Sequence, residues 1–119
     1  MKKLTTLMVT FVLLAAAPLT LACDYPTSPE IPDGGTAEKE SMIAASKSVK
    51  SFQAAMIAYR ECLDKEVADA EAEISEDNIE EIAARTNALT KKYNASVDAE
   101  ELVVARFNES VRAYKAKAD

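Results

Sequence analysis

The sequence predicts an all-α fold: an antiparallel hairpin of two long, coiled-coil-like helices preceded by an extended Pro-rich arm. Three observations predict it. Both Gly and all four Pro of the 119 residues fall before Thr36, so the last 84 residues hold no strong helix breaker. Within that tract apolar residues recur at alternating steps of three and four. One polar cluster, Ser75-Glu76-Asp77-Asn78, interrupts the pattern near its middle and supplies the turn.

Taken in order, residues 1–22 read as an export leader. Lys2 and Lys3 precede an apolar stretch from Leu7 to Ala17, and Leu19-Thr20-Leu21-Ala22 ends it with small residues at the cleavage positions. A membrane-spanning helix needs roughly 20 apolar residues, whereas Thr5, Thr6, Thr10, Pro18 and Thr20 interrupt this one. The mature form is therefore expected to carry no transmembrane segment and to reside in the periplasm or outside the cell. Losing two Lys with the leader takes the formal charge from −6 to −8. Cleavage after Ala22 makes Cys23 the first mature residue, the acceptor position of bacterial lipoproteins. Thr20 and Leu21 match the lipoprotein signal only partly and fit ordinary cleavage better, so plain export leads and a lipid anchor at Cys23 is the alternative.

Residues 23–35 form the arm. Pro26, Pro29 and Pro32 recur every third residue, which favours extended polyproline II backbone. Two cysteines remain after export, Cys23 and Cys62, and an even count in an oxidising compartment reads as one disulfide. Lengths support that pairing. Cys62 lies about 37 Å along a helix begun at Ala37, at ~1.5 Å per residue, and the arm from Cys23 to Ala37 spans about 43 Å at ~3.1 Å per residue. The arm is thus expected to run antiparallel along the first helix.

Residues 36–119 form the helical domain, with helices at about 37–74 and 77–118. Thr36 is the expected cap of the first, with Glu38 near its positive end. Its seam is Met42, Ala45, Val49, Phe52, Met56, Tyr59, Leu63, then Val67, Ala70 and Ile74, and the two consecutive fours at 59-63-67 read as a stutter. Asp77 with Glu80 reads as a capping box for the second helix. Its seam is Ile79, Ile82, Thr86, Leu89, Tyr93 and Val97, then Val104, Phe107, Val111, Tyr114 and Ala118, again with consecutive fours at 89-93-97. The two stutters overlap when the helices fold antiparallel, which favours the hairpin. The alternative breaks the second helix at Asn94-Ala95-Ser96, with Ser96 capping a third helix in a three-helix bundle. Phe52, Tyr59, Tyr93, Phe107 and Tyr114 lie on the seams and read as core.

Charge is polarised lengthwise. Between Glu61 and Glu81 there are ten acids and one base, Lys65, while Arg85 to Lys117 holds seven bases against four acids. Glu61 with Lys65 and Glu81 with Arg85 stand at helix-pair spacing. The acids lack the loop spacing of a dedicated calcium site, and an acidic chain lacks the clustered cations that nucleic acid requires. Candidate partner surfaces are Glu71, Glu73, Glu76 and Asp77 at the turn and Arg112, Lys115 and Lys117 at the far end. There is no His and no Gly-rich phosphate loop, and a disulfide leaves no free thiol, so no catalytic residues, metal site or cofactor are expected and the chain reads as a non-enzyme.

The segments CDYPTSPEIPDGGTA, MIAYREC and ARFNESVRAYKAK together give the mature chain a pattern that resembles small exported bacterial helical proteins of unknown function with a Cys pair. That resemblance implies export and a helical core, and carries no active residues. The expectation is a non-catalytic exported helical protein acting as a protein-interaction module, monomeric or homodimeric, with an envelope or secreted protein as partner. The alternatives are a lipid-anchored envelope structural protein and a chaperone or cation-binding protein using the acidic tip.

Overall fold

The computed structural model describes residues 23–118, and the leader expected at 1–22 lies outside them. Two helices, α1 (Lys39–Glu71) and α2 (Ile79–Ala118), pack antiparallel as a hairpin. The 40 residues of α2 give a rod about 60 Å long at ~1.5 Å per residue. α2 runs unbroken through Asn94-Ala95-Ser96, so the three-helix alternative is set aside. The reason is local: the Ser96 hydroxyl donates to the Tyr93 carbonyl at 2.6 Å, satisfying itself inside the helix instead of capping a new one.

Both helices are shorter than their apolar pattern predicts. Ahead of α1, the Asp33 carbonyl accepts from the amides of Thr36 (3.1 Å) and Ala37 (2.8 Å), and its Oδ1 accepts from the Gly35 amide (2.9 Å). This turn holds the chain out of the helix until Glu38, which flanks α1 without a side-chain cap bond, so Thr36 is not its cap. At the other end Asn78 Nδ2 donates to the Glu73 carbonyl (2.8 Å) while its Oδ1 accepts from the Ser75 amide (2.7 Å). Asn78 thus organises the turn expected of Asp77 and Glu80, and it draws residues 73–78 out of both helices. Ile74 and Ile79, expected on the seams, are half-exposed there.

The seams correct the expected stutters. In α1 the buried stripe is Met42, Ala45, Val49, Phe52, Met56, Tyr59, Leu63 and Ala70, with half-buried Glu66 filling the place three residues after Leu63. In α2 the buried positions are Ile82, Leu89, Ser96, Val103 and Ser110, seven apart throughout. Half-buried Thr86, Tyr93, Glu100, Phe107 and Tyr114 form the companion row, also seven apart. Both seams are therefore regular heptads. The expected pattern departs from these seams where a polar residue takes the place, at Glu66 in α1 and at Ser96, Glu100 and Ser110 in α2, and at Val103, which is buried where the expected Val104 is half-buried, as is the expected Val111 beside Ser110. Val97, expected on the seam, flanks it half-buried.

Register follows from cross-helix contacts. Arg60 meets Glu100 and Tyr93, and Met42 meets Ser110, which places Met56 at the level of Ser96. Both side chains are fully buried. A small residue opposite a long flexible one lets the helices approach without a void.

The arm completes the core. It runs antiparallel to α1, beginning at Cys62 and ending against α2 near Ser110, and Cys23 and Ile31 pack onto the central cluster. Its residues are extended and without helix or strand as far as the Asp33 turn.

Candidate functional site

The arm is held at both ends. At its start Cys23 is bonded to Cys62 across 39 residues, with Cα atoms 5.7 Å apart, as the cysteine count predicts. Two residues on, the Tyr25 ring meets Tyr59 edge-on at 5.2 Å and 82°, a favourable aromatic geometry. Tyr25 itself stays half-exposed, which is why spacing did not single it out. Burial, and after it the neighbouring Tyr25 and Glu66, raise the Tyr59 phenol above its ordinary pKa. At the far end Ser110 Oγ donates to the Pro32 carbonyl at 2.6 Å, with Met42 Sδ 3.7 Å away. Gly34 then lies against the α2 backbone so closely that a Cβ built there would stand 1.7 Å from the Ser110 carbonyl oxygen.

Glu66 brings a carboxylate to the disulfide, its Oε1 3.4 Å from Cys23 Sγ. Cys23, Cys62 and Glu66 offer donor atoms within 4.8 Å of one another. A metal needs the thiolate as ligand, and bonded sulfurs are neither thiolates nor proton donors, so the oxidised pair takes no ion and the carboxylate is simply in contact with it.

Across the helices Arg60 Nη2 donates to Glu100 Oε2 at 2.6 Å, with side chains 14 % and 17 % exposed. The guanidinium carbon also lies 6.0 Å from the centre of the Tyr93 ring. Arg60 Nη1 is buried without a partner among the described residues. Breaking such a pair strands one charge in a poorly hydrated place. Arg60→Met alone and Glu100→Leu alone are each expected to lower stability by about 2–3 kcal/mol, below the ~3–5 of fully buried pairs. The double variant is expected to recover much of the loss, as read by denaturant titration. A double variant as unstable as both single losses together would mean that the two charges are not coupled.

The remaining predicted residues fall into two separate groups. Glu71 ends α1, and Glu73, Glu76 and Asp77 occupy the turn, all exposed. Arg112, Lys115 and Lys117 are exposed at the end of α2, about 60 Å away at ~1.5 Å per residue. They therefore form the two ends of a rod and no single surface. Lys117 is engaged within the chain, donating to the Ala37 carbonyl and lying 5.0 Å from the Tyr114 ring centre. Near the tip Lys65 pairs forward with Asp69 at 2.7 Å, and not back with Glu61. That hydrogen bond and charge raise the lysine's pKa. Among the described residues the ion pairs are this one and Arg60–Glu100, so the expected Glu81–Arg85 pair is not formed.

No described helix is long and apolar enough to cross a membrane. Comparison of the chain with family models, with curated proteins and with solved structures found no match.

Proposed function

We propose that this chain is a non-catalytic exported protein that works in the periplasm or outside the cell as a rigid helical interaction rod, presenting its oppositely charged ends to an envelope or secreted partner. The observation that carries this reading is the Cys23–Cys62 bond. Disulfides persist in oxidising compartments, and this one uses both cysteines to pin the arm. The order of charge, apolar stretch and small residues before Cys23 agrees with export. The seam aromatics Phe52 and Tyr59 are buried and Tyr93 and Phe107 half-buried, so their rings pack the rod. The acidic turn and basic tail keep their exposed carboxylates and ammonium groups at opposite ends, where long-range attraction can orient a partner.

Intact mass of the protein recovered from its producing cells tests the reading. Export predicts a chain beginning at Cys23 that gains about 2 Da on reduction, as the two sulfurs take up two electrons and two protons from the added reductant. A retained leader overturns export. An acyl mass on Cys23 overturns the disulfide as well, because a sulfur held in a lipid thioether cannot bond Cys62, and it favours the lipid-anchored envelope protein. Capture of partners from envelope extract, repeated with the turn acids Glu71, Glu73, Glu76 and Asp77 changed to Gln or Asn, then asks whether the acidic end is the docking end.

A further inference from the structure

The side of α1 that faces away from α2 carries a second seam. Lys47, Lys50, Ala54, Ile57, Glu61 and Asp64 follow one another at steps of three and four, and every one of them is exposed. Ile57 is 52 % exposed, a large apolar side chain at the middle of a solvent face. The order of types is two bases, two apolar residues, two acids. Turned end over end about a point between Ala54 and Ile57, that order maps onto its own complement.

We propose that this face binds a second copy of the chain, α1 against α1 in antiparallel orientation, through a two-fold axis between Ala54 and Ile57. Under that symmetry Ala54 meets the partner's Ile57, Lys50 meets the partner's Glu61, and Lys47 meets the partner's Asp64. Each pair occurs twice, giving four ion pairs around an apolar centre. Four residues farther out, half-exposed Ile43 meets the partner's Ala68, large against small. An isologous interface requires that kind of self-complementarity. A parallel arrangement sets Lys47 and Lys50 against their own copies and Glu61 and Asp64 against theirs, which like-charge repulsion opposes. The whole-chain polarity adds to the choice, since antiparallel copies bring the acidic turn of one rod beside the basic end of the other. The Pro-rich arm lies against the flank of α1 that carries Ser48 and Cys62, and it borders the face at Lys47, which also lines the groove beside the arm, while leaving Ala54, Ile57, Glu61 and Asp64 clear of that groove. The inference is independent of where the protein works and of what its ends bind.

Charge exchange tests it on the full chain with its natural processing, by sedimentation equilibrium. Wild type is expected to show the mass of two chains at tens of micromolar, on the order of an ordinary weak homodimer. Lys47→Glu with Lys50→Glu makes the face wholly acidic, and Glu61→Lys with Asp64→Lys makes it wholly basic. Each double variant is expected to dissociate at least about a hundredfold more readily, four attractions having become repulsions. Mixed in equal amounts, the two variants are expected to pair with each other. All four positions are exposed, so folding is unaffected, and circular dichroism checks this. Wild type that remains one chain at 100 micromolar or so overturns the proposal, as do double variants that dimerise unaided or fail to pair when mixed.

Discussion

Reduction of Cys23–Cys62, or Cys62→Ser, is expected to lower the unfolding free energy by about 4 kcal/mol, the loop-closure value for a 39-residue separation. Tm is then expected to fall by about 15–30 °C, at the ~4–8 °C per kcal/mol typical of domains near 100 residues. Total stability of a domain is only ~5–15 kcal/mol, so this single bond decides whether the rod survives at ordinary temperature. The effect is large because a two-helix hairpin has one shared seam, and among the described residues the arm is the third element that covers it. Without the bond, the arm keeps the Tyr25–Tyr59 contact and the Ser110–Pro32 hydrogen bond, but closing the loop now costs chain entropy that the bond had already removed from the unfolded state. Cys23→Ser, Cys62→Ser and the double variant are expected to melt together, since the bond is the unit that matters. Thermal unfolding followed by circular dichroism with and without reductant measures this, and a Tm that does not move on reduction would sink the idea.

Gly34→Ala is the second large effect, expected to cost about 3 kcal/mol, the upper end of ordinary overpacking. The cause is contact and not backbone conformation, because neither glycine has a positive φ. A Cβ at Gly34 would lie 1.7 Å from the Ser110 carbonyl oxygen and 2.8 Å from the Tyr114 amide nitrogen. Helix backbone cannot give way by that amount, so the arm must lift and the Ser110 to Pro32 hydrogen bond must break. Gly35→Ala is the internal control. Its Cβ would come no nearer than 3.2 Å, to the Asp33 side chain, so Ala there is expected within about 0.5 kcal/mol of wild type. Equal effects of the two substitutions would mean that the arm is not seated on α2 at this point.

These two variants differ in how far the sequence foretells them. The disulfide is legible from a count of two cysteines and from arm and helix lengths that nearly match. The seating of Gly34 is not: Gly34-Gly35 simply ends the arm at 23–35, and only the approach of α2 distinguishes one glycine from the other. The seams show the same division. Apolar spacing locates the buried stripe of α1, including the run from Met42 to Leu63, but in α2 it finds only Ile82 and Leu89 of the fully buried positions. It misplaces the seam at Glu66, Ser96, Glu100 and Ser110, because periodicity counts apolar side chains, and it takes Val104 for its buried neighbour Val103. Ser96 and Glu100 take seam places since each has a partner there, the Tyr93 carbonyl for Ser96 and Arg60 for Glu100, while Glu66 sits half-buried in contact with the disulfide. The paired stutters therefore pointed to the right hairpin for a reason the structure removes. Helix ends were overrun for a related cause, since Ile74 and Ile79 continue the pattern into a turn that Asn78 holds closed. The residues proposed for docking lie exposed at the two ends, and the sequence does not tell that Lys117 is engaged by the Ala37 carbonyl.

By itself the sequence determined the helical class, the single central turn, the arm and its covalent attachment. Each of these follows from local physics, in helix breakers confined to one end, periodicity and cysteine number. Tertiary structure alone decided the register of α1 on α2, the polar members of the seam and the close seating of Gly34. Those depend on which side chains meet across a separation of tens of residues, where a buried hydroxyl or carboxylate becomes acceptable only once its partner is in place.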